Sequence, residues 1–165
     1  MSRASERIVD LARLASTVAA WREVGERVVL ANGVFDLLHV GHARYLAGAR
    51  ALGTRLVVAV NGDRSSATAK GAGRPVVAAG DRAALVAALR GVDRVVIFEE
   101  PTVDALLAEL RPAVHAKGTD YREESVPERA TMRTLGGRTE ITGDPKSHAT
   151  RDLVARVRER CGGGA

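Results

Sequence analysis

The sequence predicts an α/β fold, with a Rossmann-like open parallel sheet of about five strands and helices on both faces. Two observations support this prediction. Short runs rich in Val, Ile and Leu alternate with segments of helical periodicity along most of the 165 residues. The strand runs are continuously apolar rather than alternating, which is typical of parallel strands that helices cover on both faces.

The predicted elements follow one another in a regular order. A first helix is predicted within residues 5–24, and the strands are predicted at residues 27–30, 55–60, 94–98, 113–116 and 138–142. The remaining helices are predicted at residues 41–52, 81–90, 102–110, 127–135 and 149–160. Residues 64–79 form the longest stretch without regular periodicity, and we expect them to form a mobile flap.

Composition narrows the class of protein. With 45% hydrophobic residues, the chain is long enough for one globular domain with a core of its own. No apolar run approaches the length of a membrane span, and the N-terminus lacks the apolar core of a secretory signal, so we expect a cytoplasmic protein with no membrane partner. The single cysteine, Cys161, excludes an intramolecular disulfide.

The charge pattern indicates small anionic substrates. The formal net charge is +5, but basic residues are scattered among acidic ones and only five aromatic residues are present, so we expect no nucleic-acid partner. Only three of the 25 basic residues are lysines, at Lys70, Lys117 and Lys146, and each lies beside Gly or Pro. In a chain that otherwise uses arginine, this pattern indicates that lysine is retained where a compact ammonium group is needed to bind a phosphate.

The most informative segment runs from Ala31 to His42 and joins a predicted strand to a predicted helix. The free N–H groups of a helix N-terminus and the helix dipole make such a turn favourable for an anion. His39 and His42 lie three residues apart there, so their imidazoles would add donors aimed at the same phosphate. We expect no protein-bound metal, because no cluster of Cys and His supplies the remaining ligands.

Other chemistry-bearing segments follow the remaining predicted strands, at residues 61–63, 99–100, 117–121 and 143–150. In open parallel sheets, ligands bind beyond the carboxyl ends of the strands, near the point where the strand order reverses. The sequence therefore predicts one site at that edge of the sheet, built from segments that are distant along the chain.

The stretch from Gly33 to His42 reads Gly-Val-Phe-Asp-Leu-Leu-His-Val-Gly-His. It matches the signature Gly-x-Phe-Asp-x-x-His-x-Gly-His in full, and the chain resembles the nucleotidyltransferase superfamily that carries it. Within that superfamily it looks most like the adenylyltransferases that make ADP-heptose from D-glycero-β-D-manno-heptose 1-phosphate. The subfamily resemblance depends on residues 31–36, Val58-Ala-Val-Asn-Gly-Asp63, Lys70-Gly-x-x-Arg74-Pro75, Asp81-Arg82 and Lys117-Gly-x-Asp120-Tyr121.

The resemblance implies transfer of AMP from ATP to a sugar 1-phosphate, with Mg²⁺ accompanying the ATP. It implies catalytic roles for His39, His42, Lys70 and Arg82. It implies nucleotide binding by Asn32, Gly33, Phe35, Asp36, Gly41, Lys117, Gly118, Ser147, His148 and Thr150. It implies binding of the sugar phosphate by Asn61, Asp63, Arg74, Asp120 and Tyr121. Relatives commonly carry Ser-Thr-Thr where this chain has His148-Ala149-Thr150.

The resemblance covers roughly residues 25–160, which we assign to the nucleotidyltransferase domain. Residues 1–24 are assigned to an N-terminal helical extension and residues 161–165 to a flexible tail, and we expect a homo-oligomer. Two other functions stay open at this point. A cytidylyltransferase acting on a polyol or alcohol phosphate, such as glycerol 3-phosphate, carries the same signature, and a non-catalytic nucleotide-binding module belongs to a different class.

Overall fold

The structure, a computed structural model, describes residues 4–71, 73–144 and 150–161. Its sheet contains five parallel strands in the order β3-β2-β1-β4-β5. Their bounds are Val28–Gly33 (β1), Arg55–Asn61 (β2), Arg94–Phe98 (β3), Val114–Gly118 (β4) and Arg138–Thr142 (β5). The predicted α/β fold with an open parallel sheet is confirmed.

Seven α-helices lie within the described residues. Their bounds are Leu11–Glu23 (α1), Val40–Ala51 (α2), Asp63–Lys70 (α3), Ala79–Ala88 (α4), Asp104–Leu110 (α5), Arg129–Thr134 (α6) and Thr150–Cys161 (α7). Two short 3₁₀ turns cover Ala4–Arg7 and Glu123–Ser125. Five helices, α2 and α4 to α7, begin and end within two residues of the predicted positions. Helix α1 lies within the predicted range 5–24 but begins later.

Helix α3 corrects the prediction that residues 64–79 form an irregular flap. The helix begins after Gly62, and its first turn is capped by a side chain from outside the segment, because a carboxylate oxygen of Glu99 accepts a hydrogen bond from the N–H of Ser65 at 2.9 Å. A Cβ on Gly62 would overlap that carboxylate. Since the capping group comes from beyond β3, the local sequence gave no signal for this helix.

Helices cover both faces of the sheet. On one face, side chains of α2 and α4 such as Leu46 and Val86 pack with Val29 and Val58 of the strands. On the other face, α1, α5 and α6 contribute buried side chains such as Leu14, Leu107 and Met132. Helix α1 thus shares a core with the sheet, and the proposed domain boundary at residue 24 stays a prediction.

The strand order places a switch point between β1 and β4. From β1 the chain crosses through α2 to β2 on one side, whereas β4 pairs with β1 on the other. Helix α2 is fixed across this junction by Tyr45, whose buried hydroxyl donates to the carbonyl of Ala116 in β4 at 2.7 Å. A crevice at the carboxyl ends of β1 and β4 follows from this topology.

None of the helices described is long and apolar enough to cross a membrane. The outer edge of β3 is partly covered, because Ile8 forms a parallel bridge with Val95 and the N–H of Val9 donates to the Val95 carbonyl at 3.0 Å. This contact joins the N-terminal segment to the sheet and protects part of an edge strand.

Substituting Gly53, in the turn between α2 and β2, should destabilise the fold. A Cβ there would lie 2.5 Å from the carbonyl oxygen of Arg27, which accepts hydrogen bonds from Thr54 and Arg55. We expect Gly53→Ala to lower the free energy of unfolding by about 2 kcal/mol, measured by denaturant titration. As a matched control, Gly80→Ala in α4 meets open space and should raise stability by up to about 1 kcal/mol. Equal stability of the two variants would contradict the packing argument.

Candidate active site

A cleft of about 1010 Å³ opens at the carboxyl ends of the strands, beside the N-terminus of α2. A smaller groove of about 350 Å³ lies at the opposite end of the sheet and contains none of the predicted site residues. The larger cleft brings together most of them. They are Asn32, Gly33, Phe35, Asp36, His39, Gly41, His42, Asn61, Lys70, Arg74, Lys117, Gly118, Asp120, Tyr121 and Thr150. Ser147 and His148 lie outside the described residues.

The turn that carries the two histidines has an unusual backbone. Phe35 and Leu37 both have φ near +50°, in the left-handed region that side chains other than glycine rarely occupy. Phe35 is buried, and its ring lies 3.2 Å from the position of a Cβ on Gly33, so glycine is needed where the ring folds back. Such backbone strain is characteristic of functional turns that the surrounding packing holds in place.

The two histidines cap their own helix. Nδ1 of His39 accepts a hydrogen bond from the N–H of Gly41 at 3.1 Å, and Nδ1 of His42 accepts one from the N–H of His39 at 3.3 Å. A backbone N–H can only donate, so both Nδ1 atoms are unprotonated and each neutral ring carries its proton on Nε2. Each imidazole therefore offers an N–H donor from the atom opposite the cap.

Both rings are packed closely together. The centroids of His39 and His42 are 3.9 Å apart with nearly parallel planes, and the ring of Phe35 lies 5.3 Å from that of His42. Burial, followed by the proximity of His39, lowers the pKa of His42 from 6.5 to about 4. His42 is thus a neutral hydrogen-bond donor at physiological pH rather than a cation.

Asp36 connects the histidine turn to other segments. Its buried carboxylate accepts hydrogen bonds from Nη1 of Arg74 at 2.7 Å and from the backbone N–H groups of Val76 and Val77 at 3.0–3.1 Å. Its carbonyl accepts a bond from the hydroxyl of Thr150 at 2.8 Å. Burial alone would raise the pKa of Asp36, but these hydrogen bonds outweigh it and hold the pKa below its ordinary value.

Lys70 is the last residue of α3 and lines the cleft. Gly71 and Gly73 follow with φ of +90° and +78°, and a Cβ on either would meet nothing within 4 Å. From Arg74 onwards the chain is fixed to Asp36. The residues before Gly71 are helical, so of the described residues only Gly71 and Gly73 remain between Lys70 and Arg74 for the predicted flap, and its mobility stays a prediction.

The structure does not bring Arg82 into the cleft, which corrects its predicted contact with the leaving phosphates. Its side chain is fully buried, and the guanidinium donates to the carbonyls of Val34, Asn61 and Val77. It also forms an ion pair with Asp63 at 2.8 Å. Arg82 therefore links the carboxyl ends of β1 and β2 through its hydrogen bonds to their carbonyls.

Asp63 is likewise absent from the lining of the cleft, although it was predicted to bind the sugar phosphate. Its carboxylate is occupied by the guanidinium of Arg82, and its side chain is about half exposed. Asn61, two residues earlier at the end of β2, does line the cleft. Asp63 follows as the first residue of α3, where Arg82 holds its carboxylate.

Lys117 lies at the floor of the cleft with its charge balanced. Its ammonium group is 3.2 Å from both carboxylate oxygens of buried Glu128 and lies 4.9 Å from the ring centre of Tyr121. Glu128 was missed by the sequence analysis. No local pattern marks it, because its role depends on Lys117, eleven residues earlier along the chain.

A second residue that the sequence analysis missed is His115, in the middle of β4. It is fully buried, and its Nε2 lies 3.0 Å from Oδ1 of Asn32, which also accepts from Lys117 at 3.2 Å. Burial, followed by the charge of Lys117, lowers the pKa of His115 from 6.5 to about 3. A histidine within the predicted apolar run 113–116 was the available signal.

The remaining walls differ in character. Arg44 of α2 and Asp144 form an ion pair of 2.9 Å at the rim, and the hydroxyl of Thr119 donates to the Asp144 carbonyl at 2.8 Å. Part of the lining is uncharged and consists of Phe98, Pro101, Thr102, Val103 and Pro127. The cleft is thus lined by both charged and uncharged side chains.

Comparison with known proteins gives consistent results. The sequence profile of a family described as cytidylyltransferase-like matches residues 30–157. The chain is 43% identical over 153 residues to the bifunctional protein HldE of Magnetococcus marinus, and 44% identical over 153 residues to that of Halorhodospira halophila. These matches cover 93% of this chain but only 31% and 32% of the relatives, so the chain spans about a third of their length.

A solved structure is similar as well. The lipopolysaccharide core biosynthesis protein of Thermoplasma volcanium is 33% identical in sequence and superposes with a TM-score of 0.59. The match covers 71% of this chain and 94% of that protein. Both sequence and fold are therefore shared with it.

Because Arg82 satisfies three buried carbonyls, its loss should affect folding first. We expect Arg82→Met to lower the free energy of unfolding by about 3 kcal/mol in a denaturant titration. Lys70→Met serves as the control, because Lys70 is exposed and should leave stability unchanged. If Arg82→Met were as stable as the parent but unable to turn over substrate, that result would instead support the predicted contact of Arg82 with phosphate.

Stability should fall as the pH is lowered from 6.5 towards 4. The native pKa values of His42 and His115 lie below 6.5, so the unfolded chain binds more protons in this range, and the contribution is fully present above it. We expect His42→Gln to flatten the dependence of the free energy of unfolding on pH, measured by urea titration at several pH values. An unchanged slope in that variant would show that His42 titrates normally.

Proposed function

This chain belongs to the cytidylyltransferase-like family of nucleotidyltransferases, and from that premise we propose that it transfers AMP from ATP to D-glycero-β-D-manno-heptose 1-phosphate, giving ADP-heptose and pyrophosphate. The observation that carries the proposal is the pair of neutral N–H donors of His39 and His42 at the N-terminus of α2. The likeness to a lipopolysaccharide core biosynthesis protein supports a sugar acceptor.

The reaction requires no protein nucleophile. An oxygen of the sugar 1-phosphate attacks the α-phosphorus of ATP, the new P–O bond forms, and the bond to the β-phosphate breaks with release of pyrophosphate. The attacking oxygen is already anionic. The protein therefore acts by holding the two phosphates in line and by stabilising the charge on their oxygens.

The histidine turn supplies the first set of donors. Nε2–H of His39 and of His42 would donate to phosphate oxygens of ATP, at the positive end of the α2 dipole. Because the lowered pKa of His42 keeps its ring neutral at physiological pH, that ring acts as a fixed dipole that needs no counter-ion. Fixed donors of this kind are typical of sites that stabilise oxyanions.

Lys70 supplies mobile positive charge at the same end. It is positioned at the end of α3, next to the glycine-rich stretch that precedes the Asp36 anchor. We propose that it moves onto the leaving pyrophosphate when ATP binds. Arg74 would add charge nearby only if it left its ion pair with Asp36, so we propose that its first role is to hold the turn.

Enzymes of this family use a divalent metal together with the nucleotide, and we propose Mg²⁺. No group of three or more metal-binding side chains occurs among the residues that the structure describes, and the carboxylate of Asp36 is filled by its hydrogen bonds. The metal would therefore enter as the MgATP substrate, with its ligands mainly from phosphate oxygens and water.

The residues that line the cleft support a division of binding roles between the two substrates. Asn61, Asp120 and Tyr121 would contact the sugar phosphate, and Lys117, Gly118 and Thr150 the nucleotide, as would Ser147 and His148. The wall formed by Phe98, Pro101, Thr102, Val103 and Pro127 suits an uncharged ring of a substrate.

Since ATP is a cytoplasmic substrate, we propose a cytoplasmic location for the protein. That it forms a homo-oligomer stays a prediction.

A crossed assay of pyrophosphate release tests the proposed function. ATP, CTP, GTP and UTP are each combined with heptose 1-phosphate, other sugar phosphates and glycerol 3-phosphate, and ATP with heptose 1-phosphate should react fastest. His42→Ala is the matched control, expected to be folded and about 10² to 10³-fold slower. Preference for CTP with glycerol 3-phosphate would instead favour the cytidylyltransferase, and no release with any pair would favour a non-catalytic module.

The mobile role of Lys70 has its own test. Hydrogen exchange in the segment that follows Lys70 should slow on addition of MgATP, because closure onto the pyrophosphate orders those residues. Lys70→Met should slow turnover without changing the free energy of unfolding. Unchanged exchange together with unchanged turnover would reduce the segment to a connector between α3 and α4.

A further inference from the structure

A row of polar side chains lies where β1 meets β4, below the cleft. Oδ1 of Asn32 accepts from two buried donors, Nε2 of His115 at 3.0 Å and Nζ of Lys117 at 3.2 Å. Lys117 also forms an ion pair with Glu128, at the start of α6. His115 and Lys117 lie two residues apart on one strand, so both project to the same face of the sheet.

The orientation of the Asn32 amide follows from Lys117. An ammonium group can only donate hydrogen bonds, so the amide atom that faces it is the oxygen. Turning the amide over would place its N–H groups against the donors of both Lys117 and His115. The NH₂ group is therefore the part of the Asn32 side chain that remains for a ligand in the cleft, which Asn32 lines.

The same argument fixes the protonation of His115. Since Oδ1 of Asn32 is an acceptor, Nε2 of His115 must carry the proton and donate it. Nδ1 is then a bare nitrogen, buried and without a hydrogen-bond partner among the residues that the structure describes. An apolar side chain at this position would avoid the cost of that unbonded nitrogen. What histidine adds is the second donor that holds the Asn32 amide.

We propose that His115 is a positioning residue that, together with Lys117, holds the Asn32 amide so that its NH₂ group donates to a phosphate oxygen of bound ATP. The identity of this ligand follows from the proposed function. Phosphate oxygens only accept hydrogen bonds, so an amide turned the other way would repel them. Because Glu128 balances the charge of Lys117, the donor from this side is a neutral dipole, like the histidines opposite.

The first test compares the affinity for MgATP, measured by calorimetry on the full chain. His115→Leu should remain folded and bind about tenfold more weakly, whereas His115→Gln should restore most of the affinity, since the Gln amide nitrogen reaches to the place of Nε2. Asn32→Leu should lose at least as much affinity as His115→Leu. In the double variant, His115→Leu should cause no further loss, because His115 acts only through Asn32.

Additive losses in the double variant, or a His115→Gln protein as weak as His115→Leu, would overturn the proposal. The second test is independent of binding. An NMR spectrum that correlates ring protons with the imidazole nitrogens should show His115 as the Nε2–H form, and an Nδ1–H form would also overturn it.

These readouts separate this proposal from the proposed function. If the parent chain binds MgATP with the expected variant pattern but releases no pyrophosphate with heptose 1-phosphate, the choice of acceptor is wrong and the role of His115 stands. If the parent chain does not bind MgATP, donation from Asn32 to ATP is refuted directly.

Discussion

The buried carboxylate of Asp36 is the contact on which the geometry of the site depends. It has three donors, one from Arg74 and two from the backbone at Val76 and Val77, and its own carbonyl receives the hydroxyl of Thr150. Segments that are 38 to 114 residues apart along the chain are joined at this one residue. Its loss would remove the hydrogen bonds that hold together the histidine turn, the chain after Lys70 and the start of α7.

The donors around the cleft are mostly neutral. His42 has a lowered pKa, the amide of Asn32 is held by its neighbours, and the charge of Lys117 is compensated by Glu128. Lys70 contributes positive charge to the cleft, and it is exposed and lies beside two glycines of positive φ. For the proposed reaction, this division would suit phosphoryl transfer, because fixed dipoles cost no reorganisation during reaction, while a mobile cation could follow the departing pyrophosphate.

The fold and the centre of the site were predictable because their signals are local. β3 and β5 match the predicted ranges, and the histidine turn is recognisable from ten consecutive residues. Contacts between distant residues were not predictable. His115 and Asn32 are 83 residues apart along the chain. The sequence around Arg82 gives no sign that its guanidinium is buried and donates to carbonyls at the ends of two strands. The structure places Arg82 and Asp63 outside the lining of the cleft, where the resemblance alone predicted contact with the substrates.

The caps on Nδ1 of both histidines have a consequence for which molecules can react. The backbone occupies the nitrogen that would otherwise be free to take a proton, and the other nitrogen already carries one. Neither ring can therefore serve as a general base, and a water molecule or an alcohol in the cleft would keep its proton and remain a poor nucleophile. An acceptor that arrives already ionised needs no such help. The turn thus favours an acceptor that is already ionised over one that must first lose a proton.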